Sequence, residues 1–156
     1  MMLCMQTYES IIGTLYLVVT PDGAIKELTF EKPSLKTCAL DNVFKAKEQL
    51  DGYFGGSTRT FDLNINLDDA SKFEREVYDA LNDVGYGEVW TYKRIAEKLG
   101  KPGAARAVGQ ALKRNPVPII IPCHRIIESG GRLGGYSCGI DIKRRLLEME
   151  RYHGIP

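Results

Sequence analysis

At Asp68 the hydrophobic pattern changes period, and that switch confines the chain to a mixed architecture. Upstream the apolar residues alternate: Leu3 to Tyr8, Gly13 to Val19 and Ala24 to Phe30 are β-rich runs, with Thr20-Pro21-Asp22-Gly23 as a turn between the last two. Asp41 to Phe54 predicts a helix that stops at Gly55-Gly56. Alternation then returns over Arg59 to Ile65, with Phe61, Leu63 and Ile65 on one face. Downstream, Phe73, Val77, Leu81 and Val84 recur at the spacing of one helical face, preceded by the capping candidates Asp69 and Ser71 and stopped by Gly85 and Gly87. Helices over Thr91 to Leu99 and Ala104 to Arg114 flank Gly100-Lys101-Pro102-Gly103, the helix-turn-helix pattern. A closing helix over Ile140 to Tyr152 is expected to bury Ile140, Leu146 and Leu147 and to expose Lys143, Arg144 and Arg145. The expected fold class is therefore α/β (α+β) in two parts. A small N-terminal α/β domain with antiparallel strands (residues 1–67) precedes a mostly helical domain with the helix-turn-helix (residues 68–156).

The formal net charge of +1 hides an asymmetry. Residues 1–90 carry 8 Lys/Arg against 15 Asp/Glu, whereas residues 91–145 carry 12 against 3. A basic half beside an acidic half fits a polyanion partner, and it also fits a solvated basic face. Laid over the helix-turn-helix, the basic count favours nucleic acid. The longest apolar stretches, Leu15 to Val19 and Val117 to Pro122, fall far short of the roughly 18–20 residues that span a bilayer. No secretory signal opens the chain, so a soluble protein of the cytoplasm is expected, nucleoid-associated or, in a eukaryote, nuclear. The four cysteines, Cys4, Cys38, Cys123 and Cys138, form no CxxC pair and are too few for a disulfide scaffold.

The chemistry concentrates in Asn115-Pro116-Val117-Pro118-Ile119-Ile120-Ile121-Pro122-Cys123-His124-Arg125. An apolar run bracketed by prolines delivers a Cys-His-Arg triplet. Cysteine reacts as thiolate, and a free thiol with pKa of about 8.5 is only a few per cent ionised at neutral pH. An adjacent imidazole and guanidinium would favour ionisation, although neighbours on an extended strand point to opposite faces. A buried structural cysteine is the ordinary alternative. Gly130, Gly131, Gly134, Gly135 and Gly139 follow, around Tyr136 and Ser137, a loop able to bring backbone N–H groups against a flat ligand. By pattern alone Glu150 and His153 read as solvent residues.

Pro122-Cys123-His124-Arg125, preceded by Asn115-Pro-Val-Pro and followed by Gly134-Gly135-Tyr136-Ser137, resembles the O6-alkylguanine-DNA alkyltransferases, the methylated-DNA–protein-cysteine methyltransferases. The likeness extends through Phe73-x-x-x-Val77, Tyr86-Gly87-Glu88-Val89, Thr91-Tyr92 and Ala105-Arg106-Ala107-Val108-Gly109, over roughly residues 71–150. It implies direct-reversal DNA repair: minor-groove binding by the helix-turn-helix, a flipped base, and irreversible single-turnover transfer of the alkyl group from O6 of guanine, and from O4-alkylthymine, to the protein's own cysteine. Cys123 is then the nucleophile, and His124, through a water, links it to Glu150. Asn115 hydrogen-bonds the active-site backbone. Tyr92 crowds the phosphate and assists protonation of guanine N3. Arg106 fills the space left by the extruded base, Tyr136 walls the pocket, and the Ser137 N–H faces O6. The carbonyls of Cys123 and Ile126 accept the exocyclic amine. Lys93, Lys101 and Ser129 fall at positions that contact DNA.

The resemblance implies no cofactor and a partner that is double-stranded DNA bearing the lesion, engaged by a monomer with cooperative binding along DNA as an option, and no membrane. Some family members hold a structural zinc in the N-terminal domain. Here only Cys4 and Cys38 lie there and the histidines are His124 and His153, so no metal is expected. A reducing cytosol disfavours a Cys4–Cys38 disulfide, but the sequence leaves the pairing open. Cys138 places a second thiol beside the pocket. Two other functions are weighed: a lesion-binding module that transfers nothing, against which the retained cysteine argues, and a cysteine hydrolase, which would want its histidine distant in sequence.

Overall fold

A computed structural model describes residues 2–38 and 42–154, without the side chains of residues 42–44. Two compact units divide at Asp68/Asp69. In the first, β1 (Cys4–Ser10), β2 (Gly13–Val19) and β3 (Ile25–Thr29) form an antiparallel meander in that order. The β1–β2 register runs from Cys4 opposite Val19 to Ser10 opposite Gly13. Alternation does what it predicts, since Leu15, Leu17 and Val19 are buried on one face of β2. Helix α1 (Asn42–Gly55) buries Ala46, Leu50 and Tyr53 at helical spacing. Asp41, where the sequence places the helix start, lies outside the described residues.

Two details differ from expectation. Arg59 to Ile65 forms no strand. Ile25 donates its N–H to the Asn64 carbonyl and accepts from the Asn66 N–H, leaving a single parallel bridge at Ile65. The alternation there reflects one-sided packing, with Phe61 5.4 Å from Tyr53, rather than a ladder. Second, Cys4 and Cys38 are joined by a disulfide. Met5 pairs with the segment ending at Cys38, through Met5 N–H to the Lys36 carbonyl and Cys38 N–H to the Met5 carbonyl, both 2.8 Å. That pairing sets the two cysteine Cα atoms 5.1 Å apart, within bonding range.

The second unit begins with α2 (Lys72–Ala80), capped by Ser71 in a reciprocal box with Glu74 and continued by a 3₁₀ turn over Leu81–Asp83. A short strand β4 (Trp90–Thr91) leads directly into α3 (Tyr92–Lys98), which Thr91 caps. The turn through Gly100, with φ of +71°, delivers α4 (Ala105–Lys113). Ile95, Ala96, Val108 and Ala111 close the helical hairpin, and Tyr78 anchors α4 by donating to the Ala111 carbonyl at 2.8 Å. Strand β5 (Ile126–Ile127) pairs parallel with β4, and α5 (Ile140–Gly154) closes the unit.

The inward face of α5 corrects the sequence reading. Ile140 is 47% exposed, whereas Lys143 is fully buried with Leu146 and Glu150. Residues 143, 146 and 150 share one helical face, so two charges occupy core positions because each has partners waiting there.

Candidate active site

The loop that presents Cys123 is made rigid by its sequence. Prolines at 116, 118 and 122 restrict the backbone, and the Ile121 N–H closes a turn onto the Val117 carbonyl at 2.9 Å. Asn115 clamps that turn from both ends: its Oδ1 accepts from Val117 N–H at 3.0 Å and its Nδ2 donates to the Ile121 carbonyl at 2.9 Å. Within the clamp, buried Ile119 has φ of +75°, a conformation a β-branched residue holds only when its surroundings dictate it. The expected hydrogen bonding of the backbone by Asn115 is thus present.

Cys123–Arg125 is a 3₁₀ turn rather than a strand. Tight winding splits the triplet: Cys123 lines a cavity, while His124 and Arg125 both reach Glu150. His124 Nε2 lies 2.5 Å from Glu150 Oε2. Arg125 donates from Nε to Oε1 at 2.8 Å and from Nη2 to Oε2 at 3.2 Å, and Nη1 donates to the Val84 carbonyl at 2.9 Å. The Gly87 N–H adds a contact to Oε1 at 3.3 Å, made from a backbone with φ of +83°. Burial pulls the Glu150 pKa up, but His124 and Arg125 outweigh it and hold the carboxyl at about 2. Burial lowers the His124 pKa. A neutral imidazole facing a carboxylate donates from Nε2 and carries its lone pair on Nδ1, the tautomer of a proton acceptor.

Burial pushes the Cys123 thiol up to about 11, against the pull of an Asn115 hydrogen bond and the charge of Lys143. This corrects the expectation that Arg125 activates the thiol, because its guanidinium is spent on Glu150 and Val84. The cation that acts on Cys123 is Lys143, which the sequence reading placed on the surface. Its Nζ donates to the Ile126 carbonyl at 2.6 Å and to the Gly135 carbonyl at 3.3 Å, and lies 5.9 Å from the Tyr92 ring centre. Burial brings its pKa down to about 8. One ammonium therefore ties the strand after the triplet to the glycine loop. The signal in the sequence was its place three residues before Leu146 and seven before Glu150 on a single helical face.

The cavity measures about 420 Å³ and has Cys123 in its wall. Of the residues singled out from sequence, Tyr92, Lys93, Arg106, Ser129, Tyr136 and Ser137 line it too. Gln110, Lys113 and Glu128 also line it and were missed, being ordinary polar residues of a helix end and a turn. Asn115, His124 and Glu150 are buried and lie outside the lining. Ile126, Cys138 and Lys101 are not in the lining. The Ile126 carbonyl accepts from Lys143 and the Cys123 carbonyl from the Ile126 N–H, so each keeps one lone pair for a ligand. Lys101 sits 3.5 Å from Glu76. Burial raises the Tyr92 pKa, keeping its hydroxyl a donor.

A single thiol in the wall of an open cavity, backed by a buried imidazole–carboxylate pair and set beside a helix-turn-helix, defines a cysteine-dependent group-transfer protein. A family model described as the DNA-binding domain of 6-O-methylguanine DNA methyltransferase matches residues 72–152. The methylated-DNA–protein-cysteine methyltransferase of Methanosarcina acetivorans is 39% identical over 92% of this chain and 95% of its own. The crystal structure of the Mycobacterium tuberculosis O6-methylguanine methyltransferase superposes with a TM-score of 0.88 at 38% identity, covering 99% of this chain and 96% of that one. A structure of the same mycobacterial protein in complex with DNA gives 0.87 at 38% identity, covering 96% and 93%. The chain belongs to the methylated-DNA–protein-cysteine methyltransferase family.

Proposed function

We propose that this protein repairs O6-alkylguanine, and O4-alkylthymine, in duplex DNA by moving the alkyl group once and irreversibly onto Cys123. The observation that carries this reading is Cys123 in the wall of an open cavity, followed directly in the chain by His124, whose imidazole meets the buried Glu150 carboxylate. A base inside a duplex cannot reach such a thiol, so the nucleotide is flipped at a cost of a few kcal/mol. The helix-turn-helix delivers α4 to the minor groove, and Arg106 occupies the vacated space in the stack.

The thiol proton passes to His124, directly or through solvent, and Glu150 stabilises the imidazolium that forms. The Cys123 sulfur attacks the alkyl carbon, forming the S–C bond as the C–O6 bond breaks. Electrons from that bond return to the guanine ring, and a proton donated by Tyr92 to N3 lets the base leave neutral. The Ser137 N–H faces O6, and Tyr136 packs along the base. Because a thioether has no ready leaving path, each chain reacts once.

Intact-protein mass spectrometry after mixing with a short duplex containing one O6-methylguanine tests the reading. The expected result is a gain of one methylene per chain, mapped to Cys123 and absent in Cys123→Ala, which still binds DNA. An unchanged mass with DNA bound would instead leave a lesion-binding module.

A further inference from the structure

A second cavity, of about 590 Å³, lies between α5 and the turn that follows β5. Its floor is apolar, formed by Val89, Ile127, Leu133 and Leu147, and Val89 is 46% exposed there. Arg132, Arg144 and Arg151 stand around it with one carboxylate, Glu148. Arg144 is engaged by Asp141 at 3.0 Å. Among the described residues the guanidinium groups of Arg132 and Arg151 form no ion pair. Exposed apolar surface is kept at a cost, and planar cations with unspent donors select carboxylates bidentately.

We propose that this cavity docks an acidic peptide segment of a partner protein, seating a large apolar side chain on the floor and its flanking carboxylates on Arg132 and Arg151. The apolar floor decides between a peptide and a nucleic acid. A duplex backbone offers phosphates to the arginines but nothing to cover Val89, Leu133 and Leu147. An acidic segment with an aromatic or leucine residue satisfies both parts, the chemistry by which arginine clusters recognise acidic motifs.

The site is also connected to the first cavity. The turn is closed by Glu128 N–H to the Arg132 carbonyl and by Gly131 N–H to the Glu128 carbonyl, both 2.9 Å. Glu128 and Ser129 face the Cys123 cavity, while Gly131, Arg132 and Leu133 face this one. A docked segment therefore bears on the loop that frames the reactive thiol, whatever that thiol's substrate.

The test is fluorescence anisotropy on the full chain, using a fluorescein-labelled pentapeptide of two aspartates, a glutamate, a leucine and a C-terminal phenylalanine with free carboxylate. The expected result is saturable binding that weakens at least tenfold in Arg132→Glu, Arg151→Glu and Val89→Asp, and equally when the acidic residues of the probe become amides. Lys36→Glu, an exposed site in the N-terminal unit, makes the same charge change and should leave binding intact. Thermal melts confirm that each variant is folded, and the exposed Val89 and arginine sites give three independent chances to read the effect. No binding at millimolar probe, or equal loss in Lys36→Glu, overturns the proposal. So does failure of the probe to compete with an unmodified duplex whose binding Arg132→Glu and Arg151→Glu weaken, which would make the rim a phosphate site.

Discussion

Glu150 has no exposed surface, yet its carboxyl is held ionised by His124, by two nitrogens of Arg125 and by the Gly87 amide. A carboxyl whose pKa falls to about 2 on folding contributes stability that is complete above its unfolded value of 4.5. That contribution is lost as pH drops from there toward 2. Glu150→Gln should cost about 3–5 kcal/mol at pH 7, because it strands a buried guanidinium. Urea unfolding should show the gap between wild type and variant narrowing by about half at pH 3. An equal gap at pH 7 and pH 3 would mean that the carboxylate's charge contributes nothing. Lys143 and Arg125 explain why this scale is the least legible from sequence. Periodicity treats a charged residue as solvent-facing, and only the partners, a carbonyl 17 residues back or a carboxylate 25 residues on, reverse that assignment. Glu150 itself entered through family resemblance and not through pattern.

At the scale of elements, the glycine loop is fixed by one close approach. Gly134 has φ of +74°, and a Cβ there would lie 2.6 Å from the Tyr92 hydroxyl. Alanine at this position would carry about 1–3 kcal/mol of backbone strain and push Tyr92 out of its place in the cavity wall. Gly134→Ala should therefore lower the rate of transfer at least tenfold in a single-turnover assay while the fold persists. Gly130→Ala is the control, since Gly130 has open space around it and no positive φ, and it should transfer at the wild-type rate. The helices and the meander were readable because each carries its own local signals: Ser71 and Glu74 at a cap, Gly100 at a stop, and alternation through Leu15 and Leu17. What local signals missed were the conformations imposed from a distance. The triplet winds into a 3₁₀ turn because Asn115 and the prolines hold the chain before it. Residues 59–65 remain unladdered because β3 pairs with them only through Ile25. The Cys4–Cys38 bond follows from a pairing 34 residues apart that no motif announces.

Across the whole molecule, the acidic surplus of residues 1–90 and the basic surplus of residues 91–145 set how the protein should respond to salt. A duplex bound mainly through phosphate neutralisation loses affinity linearly in log salt, with a slope set by the number of contacts. The basic residues differ in what they have left to give. Lys93 lines the Cys123 cavity with its ammonium 4.0 Å from Glu97, both largely exposed, so it is available to a phosphate. Lys101 is paired with Glu76 and lies 5.1 Å from the Phe73 ring centre, which occupies it. Arg106 lines the same cavity as Lys93, and under the proposed function it would fill the emptied stack and act on extrusion more than on phosphate. Lys93→Ala should then reduce the salt slope by about one and weaken all duplexes alike. Lys101→Ala should leave the slope close to wild type. Arg106→Ala should keep most of the affinity for undamaged DNA but slow transfer from the lesion by more than it weakens binding. Anisotropy titrations over a range of salt, paired with single-turnover rates, separate the three. If Arg106→Ala lowered slope and affinity as Lys93→Ala does, with transfer reduced only in proportion, Arg106 would be a phosphate contact and the extruded base would need another residue to replace it.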